Sequence, residues 1–93
     1  MIDYSKCISD PEDLECLLYI RQAVVESLFP VTIKMENYSF QIDPGGSSDN
    51  IVLPIWHYGE VVAEYHSFDE FVFNFQINGK PFIQLISSIV SIE

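Results

Sequence analysis

The chain has 93 residues, of which 48% are hydrophobic, and this supplies enough apolar material for one domain spanning residues 1–93. Fourteen Asp and Glu residues against four Lys and Arg residues give a net charge of −10, which excludes a basic surface that grips nucleic-acid phosphates. Seven Phe and five Tyr residues exclude an intrinsically disordered acidic tail. We therefore expect a folded acidic domain whose partner is a basic protein.

The N-terminal sequence and the cysteines bear on the compartment. Residues Met1–Lys6 lack the features of a secretory signal, and no run of about 18 apolar residues predicts a membrane-spanning helix. Cys7 and Cys16 have neither the spacing nor the His companions of a zinc site, and free thiols are favoured over a disulfide. These features predict a cytoplasmic protein without a membrane partner.

The first predicted element is a helix that begins at Asp10 and Pro11 and ends at Phe29. Asp10 is suited to the N-cap, and proline is favoured at the first helical position. Apolar residues with helical spacing predict a buried face formed by Leu14, Leu17, Leu18, Val24, Val25 and Leu28. The opposite face carries Glu12, Glu15, Tyr19, Gln22 and Glu26. Arg21 falls within the apolar face, so we expect it to snorkel or to form a salt bridge at the rim of the core.

A first β-hairpin is predicted over Val31–Ile42 with its turn at Glu36 and Asn37. In this pairing one face is apolar and consists of Val31, Ile33, Met35, Tyr38, Phe40 and Ile42. The other face is polar and consists of Thr32, Lys34, Ser39 and Gln41. A longer loop or one bent strand stays open as an alternative. Residues Asp43–Asn50 have the composition of a loop.

A second β-hairpin is predicted over Ile51–His57 and Glu60–His66, with Tyr58 and Gly59 at the turn. Its regular register predicts a core face formed by Val52, Pro54, Trp56, Val61, Ala63 and Tyr65. The other face is mixed and holds Ile51, Leu53, Ile55, His57, Glu60, Val62, Glu64 and His66. Because Pro54 has no N–H to donate, we expect its strand to lie at a sheet edge or to be bulged there.

Two helices are predicted to follow. Ser67 and Glu70 form a capping box at the start of the first of them. One side of this helix is apolar and consists of Phe68, Phe71, Val72 and Phe75. Phe73 points away from that side, so it is either exposed or covered by another element. We expect Asn78 and Gly79 to end this segment and Pro81 to open a last helix that runs to about Ile92.

The predicted order is therefore helix, about four antiparallel strands in two hairpins, helix, helix. This order is typical of a small α+β domain in which the helices pack on the apolar sheet face. We expect that face to be formed by Ile33, Phe40, Val52, Trp56, Val61 and Tyr65.

No combination of side chains in the sequence predicts an enzyme, a metal site or a cofactor site. His57 and His66 would lie about 20 Å apart at a strand rise of roughly 3.3 Å per residue, too far to share a metal ion. His57 opposite Glu60 is expected to be a cross-strand ion pair. Ser47 next to acidic loop residues lacks the strained turn and the oxyanion hole of a nucleophilic site.

The surface is the remaining candidate for function. Acidic residues with interspersed aromatic residues can attract and anchor a basic protein. The predicted partner-binding residues are Glu12, Glu15, Tyr19, Glu26, Glu60, Glu64, Asp69, Glu70 and Phe73. One alternative is a solvated face that only confers solubility. Another is a structural or assembly subunit that oligomerises through Ile51, Leu53, Ile55 and Val62. We expect the protein to be a monomer or a dimer.

The element order over Asp10–Ile92, together with the acidity, resembles small phage-encoded inhibitors, in particular anti-CRISPR proteins that act on single-subunit nucleases. The passage 59–71, GEVVAEYHSFDEF, and the passage INGKP at 77–81 are similar to stretches of small bacterial and phage proteins. The resemblance implies binding to the basic DNA-recognition surface of a nuclease by acidic side chains, without cofactor or turnover. It carries over no functional residue. Bacterial immunity proteins that neutralise toxic nucleases fit the same charge argument.

Overall fold

The fold combines an antiparallel sheet with two helices in the residues that the computed structural model describes, 3–26, 29–43 and 52–93. The helices are α1 (Pro11–Glu26) and α2 (Phe68–Asn74). The strands are β1 (Val31–Met35), β2 (Ser39–Ile42), β3 (Leu53–His57), β4 (Glu60–Tyr65), β5 (Gln76–Ile77), β6 (Lys80–Pro81) and β7 (Ile89–Ile92). The main sheet has the strand order β4-β3-β2-β1-β7, and β5 and β6 form a separate pair. The predicted α+β class is confirmed.

Helix α1 begins where the sequence predicts. The N–H of Glu12 donates to the Asp10 carboxylate at 2.9 Å, so Asp10 satisfies an N–H that the helix itself leaves unpaired. The buried face is a narrow stripe at spacings of three and four, formed by Leu17, Ile20 and Val24.

Two predictions for the apolar face of α1 are wrong. Leu18 and Val25 are 46% and 65% exposed, because the helix turns only the narrow stripe of Leu17, Ile20 and Val24 toward the core. Arg21 lies half-buried beside that stripe. Leu28 lies outside the described residues.

The first hairpin has the predicted pairing. Val31 faces Ile42 and Ile33 faces Phe40, while the turn is closed by the N–H of Met35 donating to the carbonyl of Tyr38 at 2.8 Å. Alternation in this hairpin is unambiguous, so the buried face follows directly from the residue types. The loop predicted at Asp43–Asn50 lies outside the described residues after Asp43.

The second hairpin has the predicted turn but the wrong core face. Trp56 faces Val61 as predicted, whereas Ile55, and not Pro54, faces Ala63. Val62 is therefore an extra residue in β4, which makes a β-bulge and shifts the remaining pairs by one. The buried residues of β3 are Leu53 and Ile55, at 4% and 0% exposure. The predicted core positions Val52, Pro54, Trp56 and Val61 are half-buried or exposed.

Pro54 does not lie in an edge strand. Strand β3 is enclosed between β2 and β4, and its register irregularity falls between Ile55 and Trp56, one residue after the proline. The carbonyl of Pro54 accepts the N–H of Asp43 at 3.2 Å, at the end of the β2–β3 ladder. At this terminal position the missing proline N–H costs the ladder only its last bond.

Helix α2 carries the aromatic core of the domain. Ser67 caps it by accepting the N–H of Glu70 at 3.0 Å, and the Glu70 carboxylate receives the N–H of His66, the residue before the cap. The predicted buried side of α2 is confirmed, with Phe68, Phe71, Val72 and Phe75 all buried. These side chains form a single cluster with the buried residues of α1 and of the sheet.

The last predicted helix is wrong. Residues Phe82–Gln84 and Ile86–Ser88 form two short 3₁₀ turns, and Ile89–Ile92 form β7 at the edge of the sheet next to β1. The helical spacing of isoleucines in this segment also fits a β-strand, and β-branched residues favour the strand where an unpaired edge is within reach. The main sheet consequently has five strands in place of about four.

Candidate functional site

The acidic residues of α1 lie on its solvent-facing side. Glu12, Glu15 and Glu26 are exposed, and Tyr19 is 59% exposed between them. Gln22 donates to the carboxylate of Glu26 at 3.2 Å, an i,i+4 contact within the helix. We call this surface, Glu12, Glu15, Tyr19 and Glu26, the α1 acidic face.

The other acidic candidates lie at the β4 edge of the sheet, opposite the β7 edge near which α1 packs. Glu60 and Glu64 are exposed on β4, the edge strand against which α2 packs. Helix α1 packs instead against the 3₁₀ turn Ile86–Ser88, which leads into the other edge strand. The structure therefore separates the predicted acidic residues into an α1 group and a β4–α2 group.

Three of the candidates are engaged within the fold. Asp69 accepts a hydrogen bond from the Tyr4 hydroxyl, and Glu70 takes part in the cap of α2. The ring of Phe73 is half-buried against that of Tyr4, with centroids 6.2 Å apart. Phe73 is thus covered by the N-terminal segment and not by a last helix. Less of its ring is available to a partner than that of Tyr19.

The contact between Tyr4 and Asp69 couples the N-terminal segment to α2. Tyr4 is 2% exposed. Burial, followed by the hydrogen bond to Asp69, raises the pKa of the Tyr4 phenol above its usual range. The neutral phenol is therefore favoured in the folded protein.

This raised pKa predicts a loss of stability in alkali. The neutral Tyr4 phenol contributes its full stabilisation at pH values below about 10, the pKa of tyrosine in the unfolded chain. This contribution falls as the pH rises above that value. Tyr4→Phe should weaken that fall, measured as the difference in urea midpoint between pH 8 and pH 11. At pH 7 the same change should cost roughly 1 to 3 kcal/mol, because Asp69 loses its donor. An unchanged alkaline slope would mean that Tyr4 does not hold its proton more tightly when folded.

His57 has a structural environment in place of the expected ion pair. Its Nδ1 lies 2.7 Å from the carbonyl oxygen of Ser39, and its ring stacks on Tyr38 with centroids 4.1 Å apart. Glu60 is its cross-strand neighbour, but no ion pair joins the two among the described residues. The ring is therefore held by Ser39 of β2 and by Tyr38 just before that strand, and the predicted His57–Glu60 ion pair is wrong.

The face of the sheet turned away from both helices was not predicted as a site. Thr32, Gln41, Trp56 and Val61 form a row across four strands, since each is the pairing partner of the next. We call this surface the outer sheet face. Val61 and Val62 are 41% and 48% exposed there. Trp56 lies on this face because β3 alternates, with Leu53 and Ile55 turned inward. The bulge at Val62 lets Ala63 and Tyr65 of β4 pack against the core while Val61 stays opposite Trp56, and no sequence periodicity signals that bulge.

The set of residues that the sequence offered as an alternative oligomerisation face does not form one exposed surface. Leu53 and Ile55 are buried in the core, Ile51 lies outside the described residues, and only Val62 is exposed. Leu53 and Ile55 point inward beside Ile42 of β2, so these two side chains are not available to a second copy of the folded chain.

The described residues hold no group of three or more His, Cys, Asp or Glu side chains that could hold a metal ion. Cys7 and Cys16 are free thiols. Within the same ranges, no helix has both the length and the apolar character needed to cross a membrane. Comparison with protein-family models, with curated proteins and with solved structures finds no match to this chain.

Proposed function

We propose that this protein is an acidic inhibitor, of the anti-CRISPR type, that binds the basic nucleic-acid-binding surface of a nuclease in the host cytoplasm. The observation that carries the proposal is the uncompensated charge of its surface. The chain has fourteen acidic residues and only four Lys and Arg residues, so at least ten carboxylates have no Lys or Arg partner of their own within the chain. The described residues contain one ion pair, Lys34 with Glu93 at 3.2 Å.

The α1 acidic face supports binding better than the other group. Its three carboxylates are exposed on one rigid helix, and Tyr19 adds an aromatic ring with 59% exposure. Opposite charges accelerate association, while a partly exposed aromatic side chain slows dissociation once it is buried. A nuclease surface rich in Lys and Arg, which normally holds phosphates, offers the matching charge.

The proposal predicts that charge reversal slows association. Glu15→Lys and Glu64→Lys both change exposed residues, so each should leave the fold intact and lower the association rate with a single-subunit CRISPR nuclease. The double variant Gln76→Lys/Gln84→Lys alters the net charge by the same two units at exposed positions outside the predicted site, and serves as the matched control. Salt should slow the wild-type association, since the screening length falls from about 10 Å at 0.1 M to about 3 Å at 1 M.

The measurement is DNA cleavage by the nuclease together with association kinetics by surface plasmon resonance. Inhibition relieved by excess DNA, and weakened more by Glu15→Lys than by the control, supports the proposal. If Glu15→Lys and the Gln76→Lys/Gln84→Lys control weaken inhibition equally, the acidity is only a solubility trait. Inhibition confined to a toxin nuclease would instead assign an immunity role.

A further inference from the structure

A cavity of about 180 Å³ opens where the turn of the first hairpin meets the C-terminal part of the chain. Its described lining comes from the β1–β2 turn, from the β5–β6 pair and from the segment 82–88 that leads into β7. We call this cavity the turn pocket. Within the described residues, none of the predicted partner-binding side chains lines it.

Backbone hydrogen bonds hold the three segments that line the turn pocket. The N–H of Met35 donates to the carbonyl of Tyr38 at 2.8 Å and closes the first hairpin. Strands β5 and β6 form an antiparallel pair, and in the third segment the N–H of Ser88 donates to the carbonyl of Leu85 at 3.0 Å. A ligand would therefore meet a site whose backbone is already ordered, which lowers the entropic cost of binding.

One part of the lining is apolar. Ile77 is buried, at 9% exposure, and the ring of Tyr38 is half-buried and stacked on that of His57. Met35 and Leu85 are also half-buried and pack against the core. An apolar group of a ligand gains free energy by leaving water for such a surface.

The other part of the lining is polar and carries charges of both signs. Glu36 and Lys80 are exposed, and they form no ion pair with each other. Asn37, Asn78 and Ser88 add two amides and a hydroxyl. Across residues 3–26, 29–43 and 52–93, no hydrogen bond or ion pair engages any of these five side chains. Folding thus leaves a carboxylate, an ammonium and two amides of one pocket available to a ligand.

We propose that the turn pocket binds a free α-amino acid with an apolar side chain. Such a molecule carries both charges, so its ammonium can pair with the Glu36 carboxylate and its carboxylate with the Lys80 ammonium. Its side chain would pack on Met35, Ile77 and Leu85. The size agrees, because pockets for drug-sized ligands measure about 300 to 1,000 Å³. The turn pocket, at about 180 Å³, suits a smaller molecule.

A ligand with only one charge fits the turn pocket less well. An anion would pair with Lys80 but would also meet Glu36 and the net charge of −10. A cation would pair with Glu36 but would be repelled by Lys80. Amino-acid binding goes beyond the proposed inhibitor function, and each proposal can fail while the other stands.

Four small ligands separate the contributions of the two charges and of the side chain. Leucine carries both charges, N-acetylleucine only the carboxylate, leucinamide only the ammonium, and glycine lacks the side chain. We expect leucine to bind about tenfold more tightly than either singly charged analogue, because each analogue loses one charge-assisted contact. Glycine should also bind at least about tenfold more weakly, since it buries no apolar side chain. Chemical-shift titration of the ¹⁵N-labelled protein at pH 6 measures the affinities, and the amides of Ile77, Asn78 and Ser88 should shift.

Two variants test the assignment of each charge. Lys80→Gln should abolish the preference for leucine over leucinamide and keep the preference for leucine over N-acetylleucine. Glu36→Gln should have the opposite pattern. Both change exposed side chains, so the fold should stay intact by far-UV circular dichroism. Lys6→Gln removes the same charge as Lys80→Gln at an exposed position outside the pocket, and this matched control should keep both preferences.

Three results would overturn the proposal. If Lys6→Gln weakens leucine binding as much as Lys80→Gln does, the attraction comes from overall charge and not from the pocket. If N-acetylleucine binds as tightly as leucine, the pocket recognises a carboxylate alone, as at the end of a peptide. If glycine binds as tightly as leucine, the apolar lining contributes nothing to binding.

Discussion

Phe71→Ala is expected to lower the free energy of unfolding by about 3 to 5 kcal/mol, the range for removing a fully buried large aromatic side chain. Phe71 is 0% exposed. Its ring centroid lies 5.0 Å from that of Phe82 and 5.5 Å from that of Phe75. It also contacts Phe40 of the sheet, so the cavity would open where α2, β2 and the C-terminal segment meet. Urea unfolding followed by far-UV circular dichroism measures the loss.

Trp56→Ala is the matched comparison, since it also removes a large aromatic ring. Trp56 is only half-buried on the outer sheet face, where the side chain has solvent on one side. Its loss should cost clearly less than that of Phe71. A cost in the same range as that of Phe71→Ala would mean that Trp56 lies in the core and that the second hairpin has the regular register.

Ser91→Pro should destabilise the protein, because it breaks the ladder between β7 and β1. Ser91 is the pairing partner of Lys34. Thr32 and Glu93 exchange both backbone hydrogen bonds at 2.9 and 2.8 Å, and such pairs recur every second residue, so the N–H of Ser91 also points toward β1. Proline would remove that donor and leave a carbonyl unpaired, at roughly 1 to 3 kcal/mol besides the steric clash.

Ser91→Thr is the control for this prediction. Threonine keeps the N–H and the hydroxyl and is favoured in strands over helices. We expect a urea midpoint at or above that of the wild type. A destabilising threonine together with a tolerated proline would contradict strand β7.

The first hairpin and α2 could be predicted because their local signals agree with each other. In Val31–Ile42 the apolar and polar residues alternate without exception, so only one register buries the apolar set. In α2 the cap at Ser67 and the spacing of Phe68, Phe71, Val72 and Phe75 indicate the same helix and the same buried side. Agreement between local preference and burial leaves no competing arrangement.

The candidate site was predictable only as far as exposure follows from helix geometry. The α1 acidic face lies opposite the buried stripe, as helical periodicity predicts for Glu12, Glu15, Tyr19 and Glu26. Phe73 and Asp69 differ because the N-terminal Tyr4 packs against both, a contact between residues far apart in the chain. Such a contact leaves no trace in local spacing.

Composition, capping residues and clean periodicity by themselves determined an acidic α+β domain, the start of α1, the first hairpin and the buried side of α2. Tertiary structure decided the bulge at Val62 and the strand at Ile89–Ile92. In both places apolar residues occupy positions that fit more than one local conformation, so local free energies differ little. Burial of Leu53 and Ile55 beside Ile42, and pairing of β7 with the free edge of β1, select one conformation through contacts that exist only in the assembled sheet.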